Sequence, residues 1–360
     1  MIYTFISLLA ILIIILSFKK TYKKTFLYKL DKNCTEELKA IAIFLVIFGH
    51  LSADKIIQTP FLAHSGSQGV TLFLFLSGYG LAKSYLKKGI TKKVLFNRFS
   101  KILIPYSMIT ALWIIIDTFV YHKVYSKSTI LLSIIGFDFN RSVDASMWYI
   151  SFILLWYIFF NIVFKLPIKN IFKLILLLFV SYLFKYHPVY RYTHEVCYQW
   201  GLNAFTFPIG VMAGLYLDTI NQKLNSKHIN FAYLGAFLIS LITCIISLNY
   251  ISLGVHIFAI SNSAFAFTVT IIILFINTLG YFSKALNFIG SISYELYLLE
   301  AALMWKYLFI RHIQKQSVVL FLIVYFFAVI TLSYILNKFI AFITKPRNSD
   351  PQEKSVKSAS

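Results

Sequence analysis

Leu38 to His50 reads LKAIAIFLVIFGH, an apolar run with a cation at one end and a histidine at the other. Lys39 and His50 are eleven positions apart. At about 100° per residue they fall roughly 20° from a common face, about 16.5 Å apart along a helix axis. Nearly everything between them is apolar. Titratable groups inside a membrane span are costly and usually functional. Whether this run is such a span depends on the rest of the chain.

The composition answers that. Of 360 residues, 59% are hydrophobic and 13% charged, against about 25% charged in a soluble domain. Mean hydropathy is +0.76. Phe (36) and Tyr (24) are abundant, as expected of side chains that face lipid or lie at its interface. A net charge of +21 would suggest nucleic acid in a soluble chain. Here Lys and Arg cluster between apolar runs, so the charge reads as cytoplasmic loops in a lipid bilayer, with no nucleic-acid partner. Cys34, Cys197 and Cys244 have neither metal-ligand spacing nor a disulfide framework and are read as structural.

Residues 2–18 form a first apolar run followed by KKTYKK. Without a basic leader or a small-residue cleavage site, it reads as an uncleaved anchor with its N-terminus outside. Ten further apolar segments lie near 37–53, 68–86, 102–121, 147–164, 168–184, 200–217, 229–249, 255–279, 287–304 and 317–343. Several are close to the roughly 20 residues that a span needs. The chain therefore reads as all-α: a polytopic transmembrane helix bundle of about ten core spans plus one extra N-terminal span. Its expected parts are that span with a basic linker (1–36), a membrane-embedded domain (37–343) and a disordered cytoplasmic tail (344–360). Alternating the sides places about 22 Lys and Arg in inner loops and about 9 in outer loops, with three of the 34 inside spans. That excess obeys the positive-inside rule. Lys39 then lies at the cytoplasmic end of its helix and His50 toward the outer end.

Several residues have chemistry to offer. A neutral His50 suits proton abstraction from a hydroxyl near neutral pH; it also suits helix packing against a neighbouring hydroxyl. Gly49 beside it allows close approach by a helix or a substrate. Lys39 either meets an anion or snorkels to the headgroups. In GVTLFLFLSGYGL (69–81), Ser77, Gly78, Tyr79 and Gly80 permit tight helix contact or room for a ligand. In FNRFSKILIPY (96–106), Arg98 and Lys101 lie at a cytoplasmic boundary, with Pro105 in the first turn or so of the next span. They read as a phosphate contact or as positive-inside anchors. Trp148 and Tyr149 open a span at the outer interface. In LNFIGSISYELYLLE (286–300), Ser293, Tyr297 and Glu300 share one helical face. Glu300 falls at the depth of His50, as does Asp117, and a carboxylate there would orient the imidazole.

Taken in order, these stretches resemble the acyltransferase 3 family of integral-membrane acyltransferases. The matching segments are KAIAIFLVIFGH, the Phe-rich stretch ending in Ser77-Gly78-Tyr79, RFSKILIPY, WYISF at Trp148 and GSISYELYLL, which together cover most of residues 36–305. Lys39 stands where the family most often has Arg. Thr71 replaces a common Asp, and Glu300 falls where many members have His. The resemblance implies transfer of an acyl group, usually acetyl, from cytoplasmic acyl-CoA to a hydroxyl of a cell-surface glycan. It implies a bacterial cytoplasmic membrane, no metal and no bound cofactor beyond acetyl-CoA as donor. Catalysis is expected of His50 and Glu300, with donor or substrate contacts from Lys39, Arg98, Lys101, Ser77, Tyr79, Trp148, Ser293 and Tyr297. Some members carry an SGNH hydrolase-like domain; without one, the chain would act alone or hand its acyl group to a separate extracytoplasmic transferase. The competing readings are a transporter or flippase for a lipid-linked glycan, which calls for inverted repeats, and a glycan polymerase, which calls for a large outer loop.

Overall fold

The computed structural model describes residues 14–20, 28, 30–57, 59, 62, 64–186, 194–224, 226–250, 255–305 and 317–344. Most of the expected N-terminal span and nearly all of the tail 344–360 lie outside the described residues. The helices are α1 (Lys32–Ala53), α2 (Ser65–Lys88), α3 (Lys92–Phe119), α4 (Lys127–Ile134), α5 (Trp148–Lys165), α6 (Asn170–Tyr186), α7 (His194–Asn203), α8 (Thr206–Lys223), α9 (Ser226–Asn249), α10 (Val255–Thr278), α11 (Lys284–Ser291), α12 (Ser293–Trp305) and α13 (Val318–Ile343). A two-residue antiparallel pair joins β1 (Lys19–Lys20) to β2 (Tyr281–Phe282).

Among the described residues, six helical segments are long and apolar enough to cross a membrane: Lys92–Phe119, Ala145–Lys165, Gln199–Lys223, His228–Asn249, Ile257–Thr278 and Val318–Ile343. The chain is a multi-pass, all-α membrane bundle. Each of the ten expected core segments is helical, but four do not meet the length and apolarity of a span. α6 is short, and the 287–304 segment is split into α11 and α12. α1 and α2 are central, packed against each other and against α8, α11, α10 and α12. A helix enclosed by other helices needs no continuous apolar surface, so α1 can open on Lys32, Glu36, Glu37 and Lys39.

Local chemistry sets the helix ends. The Asp31 carboxylate accepts from the Cys34 N–H at 2.9 Å and starts α1 five residues before the apolar run. Lys39 and His50 therefore lie on one unbroken helix. Thr91 caps α3 in the same way, its hydroxyl accepting from the Val94 N–H at 3.2 Å. α3 thus begins ten residues before the expected span, and Pro105 lies in its interior instead of its first turn. Proline removes one backbone bond and loosens that turn; the Tyr294 hydroxyl donates to the nearby Ile102 carbonyl at 2.8 Å.

Packing of apolar helices in lipid depends on close van der Waals contact more than on a hydrophobic drive. A Cβ on Gly49 would overlap the Gly66 backbone. Of the two roles open to Gly49, close approach by a helix is the one observed. Gly78 likewise admits the Phe207 carbonyl of α8. The break between α11 and α12 falls at Ile292, where Gly290 lies against the Glu36 carbonyl of α1 with no space for a side chain. The expected outer loop 122–146 contains the short helix α4, started by the Ser126 hydroxyl.

Candidate active site

The C-terminal end of α1 carries His50, two residues past Phe48 in the last turn. Its Nδ1 lies 2.7 Å from Glu300 Oε1 of α12. Glu300 is fully buried, while the His50 side chain is 22% exposed. The second Glu300 oxygen lies 3.4 Å from the Tyr325 hydroxyl of α13, which also donates to the Glu300 backbone carbonyl at 3.0 Å. Three helices thus hold one carboxylate. When Glu300 is ionised it only accepts, so Nδ1 then donates to it and Nε2 is left as the basic nitrogen of the neutral ring. The Trp305 ring covers the imidazole, with centroids 5.0 Å apart.

A second feature approaches from the other end. A cavity of about 830 Å³ is walled by α1, α2, α3, α5, α11, α12 and α13. Phe96, Lys101 and Thr344 are exposed and mark its mouth. Lys39 also lines it, ion-paired with Glu36 at 3.1 Å. Ser77, Tyr149, Tyr157, Ser293 and Tyr297 line it as well. Tyr297 donates its hydroxyl to the Ser146 carbonyl, in a turn capped by the Asp144 carboxylate, which accepts from the Ser146 N–H at 2.8 Å and its hydroxyl at 2.7 Å. Tyr149 stacks edge-on against Tyr297, centroids 5.6 Å apart. His50 does not line this cavity. One turn of α12 separates Tyr297 in its wall from Glu300 beside the imidazole.

Five expected donor contacts, Lys39, Lys101, Ser77, Ser293 and Tyr297, therefore share one cavity. Three do not. Tyr79 is two residues from Ser77 and points to the opposite side of α2, where its hydroxyl donates to the Leu30 carbonyl at 3.2 Å. Arg98 turns inward, donating to the Gly80 carbonyl at 3.1 Å. Trp148 lies at the start of α5, its carbonyl accepting from the Trp200 indole at 3.4 Å. Asp117 pairs with Tyr125, whose hydroxyl donates to it at 2.5 Å, and not with His50. Tyr125 lies outside the spans, and burial followed by the Asp117 carboxylate holds its phenol above the usual range.

Sequence reasoning missed Tyr325, Trp305, Glu295 and Asn337. Tyr325, one of two tyrosines in the apolar run of α13, carries no spacing signal, because its partner comes from another helix. Residues 36–338 match the family model described as an acyltransferase domain. No curated protein and no solved structure matches the chain.

Proposed function

This chain belongs to the acyltransferase 3 family, a membrane acyltransferase, and from that premise we propose that it moves an acyl group, most simply acetyl, from acyl-CoA to a hydroxyl of an extracytoplasmic polysaccharide. We place it in a bacterial cytoplasmic membrane, with the cavity mouth on the cytoplasmic side and His50 toward the acceptor. The observation that carries the reading is the 2.7 Å contact between His50 Nδ1 and the buried Glu300 carboxylate. A base oriented by a carboxylate is the arrangement that activates a hydroxyl for acyl transfer.

The donor enters the cavity thioester first. Lys39 and Lys101 attract its phosphates at the mouth. His50 Nε2 takes the proton of the acceptor hydroxyl as its oxygen attacks the thioester carbonyl. The new C–O bond forms, the C–S bond breaks, and the imidazolium returns the proton to the leaving thiolate. Glu300 keeps the ring in the required tautomer and stabilises the imidazolium. Tyr297 and Tyr149 line the donor cavity, and Tyr297 is one helical turn from Glu300, so the acyl group reaches the base past this end of the cavity.

Protein in proteoliposomes, given radiolabelled acetyl-CoA outside the mouth and glycan on the opposite face, tests this. Label in the glycan is expected. Glycan flux without label would indicate a transporter instead. Near-normal transfer by correctly folded His50→Ala would rule out the mechanism.

A further inference from the structure

Glu295 lies in the cavity wall and no step above uses it. It is 6% exposed, on α12, five residues before Glu300. Its Oε1 accepts from the Asn337 amide of α13 at 3.0 Å, and Asn337 also lines the cavity. Among the described residues, Asn337 is the only side chain hydrogen-bonded to it, and the backbone N–H of Glu295 itself supplies a second bond. Lys39 is within electrostatic range of Glu295 but is ion-paired with Glu36. A carboxylate can accept about four hydrogen bonds, and a polar group held away from water is costly unless it is bonded. The wall therefore offers an acceptor with capacity to spare.

Depth decides what meets it. Helix rise places Glu295 about 7.5 Å nearer the mouth than Glu300. An acyl-CoA whose thioester approaches His50 lays its pantetheine arm past that level. The arm carries two amide N–H groups, the first two methylenes from the sulfur and the second a carbonyl and two methylenes further on. Each needs an acceptor once it leaves water. The phosphates cannot be the partner of Glu295, because like charges repel. We propose that Glu295, held in place by Asn337, accepts an amide N–H of the donor's pantetheine arm and so selects pantetheine thioesters, an inference that rests on the acyl-CoA reading above.

The test uses the full chain in nanodiscs with acetyl-CoA and two analogues in which each amide in turn is an ester. The ester keeps the shape and removes the N–H. The wild-type protein is expected to show a KM about tenfold higher for one of the two analogues. Glu295→Gln keeps an oxygen for Asn337 and turns an amide toward the cavity. It should raise the KM for acetyl-CoA by a similar factor and abolish the preference, with kcat within about threefold. With acetyl-pantetheine, which has no phosphates, the Glu295→Gln penalty should persist while that of Lys101→Met disappears. A wild-type protein indifferent to both esters, or a Glu295→Gln variant that keeps the preference, overturns the proposal. Should the variant fail to fold, the wild-type comparison decides alone. No transfer from acetyl-CoA at all would overturn the donor reading and this one with it; transfer without the amide preference would overturn this one only.

Discussion

Two fully buried carboxylates, Glu37 and Glu300, have opposite surroundings. Glu37, near the start of α1, accepts from the Ser283 N–H at 2.7 Å, the Asn277 amide at 2.7 Å and the Asn287 amide at 3.4 Å. None of these partners titrates near neutral pH. The cluster joins α1 to α10 and α11 and belongs to no cavity among those described. Glu300 instead meets an imidazole and a phenol, and the imidazole is partly exposed. Burial and polarity alone do not separate a structural carboxylate from a chemical one. The separating property is whether a partner can carry a proton and reach a substrate.

That contrast breaks first at His50. Its replacement by Ala should lower transfer about a thousandfold, within the range of a lost general base, while the protein still elutes at the wild-type position. Glu300→Gln comes next. The amide keeps the shape but favours the wrong imidazole tautomer, so kcat should fall at least about a hundredfold with the KM for acetyl-CoA little changed. If Glu300→Gln lowered stability but not kcat, the two carboxylates would be alike after all.

Glu37→Gln should do the reverse. One oxygen becomes an NH2 that faces N–H donors, leaving a buried group unsatisfied at a cost of about 1–3 kcal/mol. A thermal unfolding scan in detergent should show the lower transition. Activity per folded molecule should be unchanged, which a titration of active protein at low temperature would measure.

The same contrast explains what the sequence made legible. His50 and Glu300 stood out because a titratable residue in an apolar run is conspicuous, and helix periodicity with alternating spans puts both at one depth. Ser77, Ser293 and Tyr297 were legible as small or polar residues on helix faces, and the structure places them on one cavity. Glu37 did not stand out, because it sits among Lys32, Glu36 and Lys39 at a helix start and looks like part of a solvated boundary. Its burial follows from Gly290 letting α11 approach the Glu36 carbonyl, a contact between residues more than 250 positions apart. Arg98 reads as a phosphate contact by its charge at a boundary but donates to the Gly80 carbonyl; Tyr79 reads as a pocket residue beside Ser77, but the two-residue offset sends it to the opposite face. Cross-helix partners such as Tyr325 leave no local pattern in one sequence.

Tyr325→Phe is the smallest expected effect and the sharpest use of the comparison. The phenol lies in hydrogen-bonding range of both the backbone carbonyl and a carboxylate oxygen of Glu300, so it positions the group that positions the base. At 3.4 Å the carboxylate contact is long, and Phe keeps the ring that stacks on Phe321, centroids 5.6 Å apart. The fold should therefore hold, and Glu300 should keep its bond to His50. Loss of one modest hydrogen bond, worth about 1 kcal/mol, predicts a kcat lowered roughly fivefold and an unchanged KM for acetyl-CoA. In a Glu300→Gln background the same substitution should cost nothing further in kcat, because its effect passes through the carboxylate. A penalty that persisted in the double variant would mean that Tyr325 acts on the substrate directly, and the phenol would then belong to the reacting surface and not to its support.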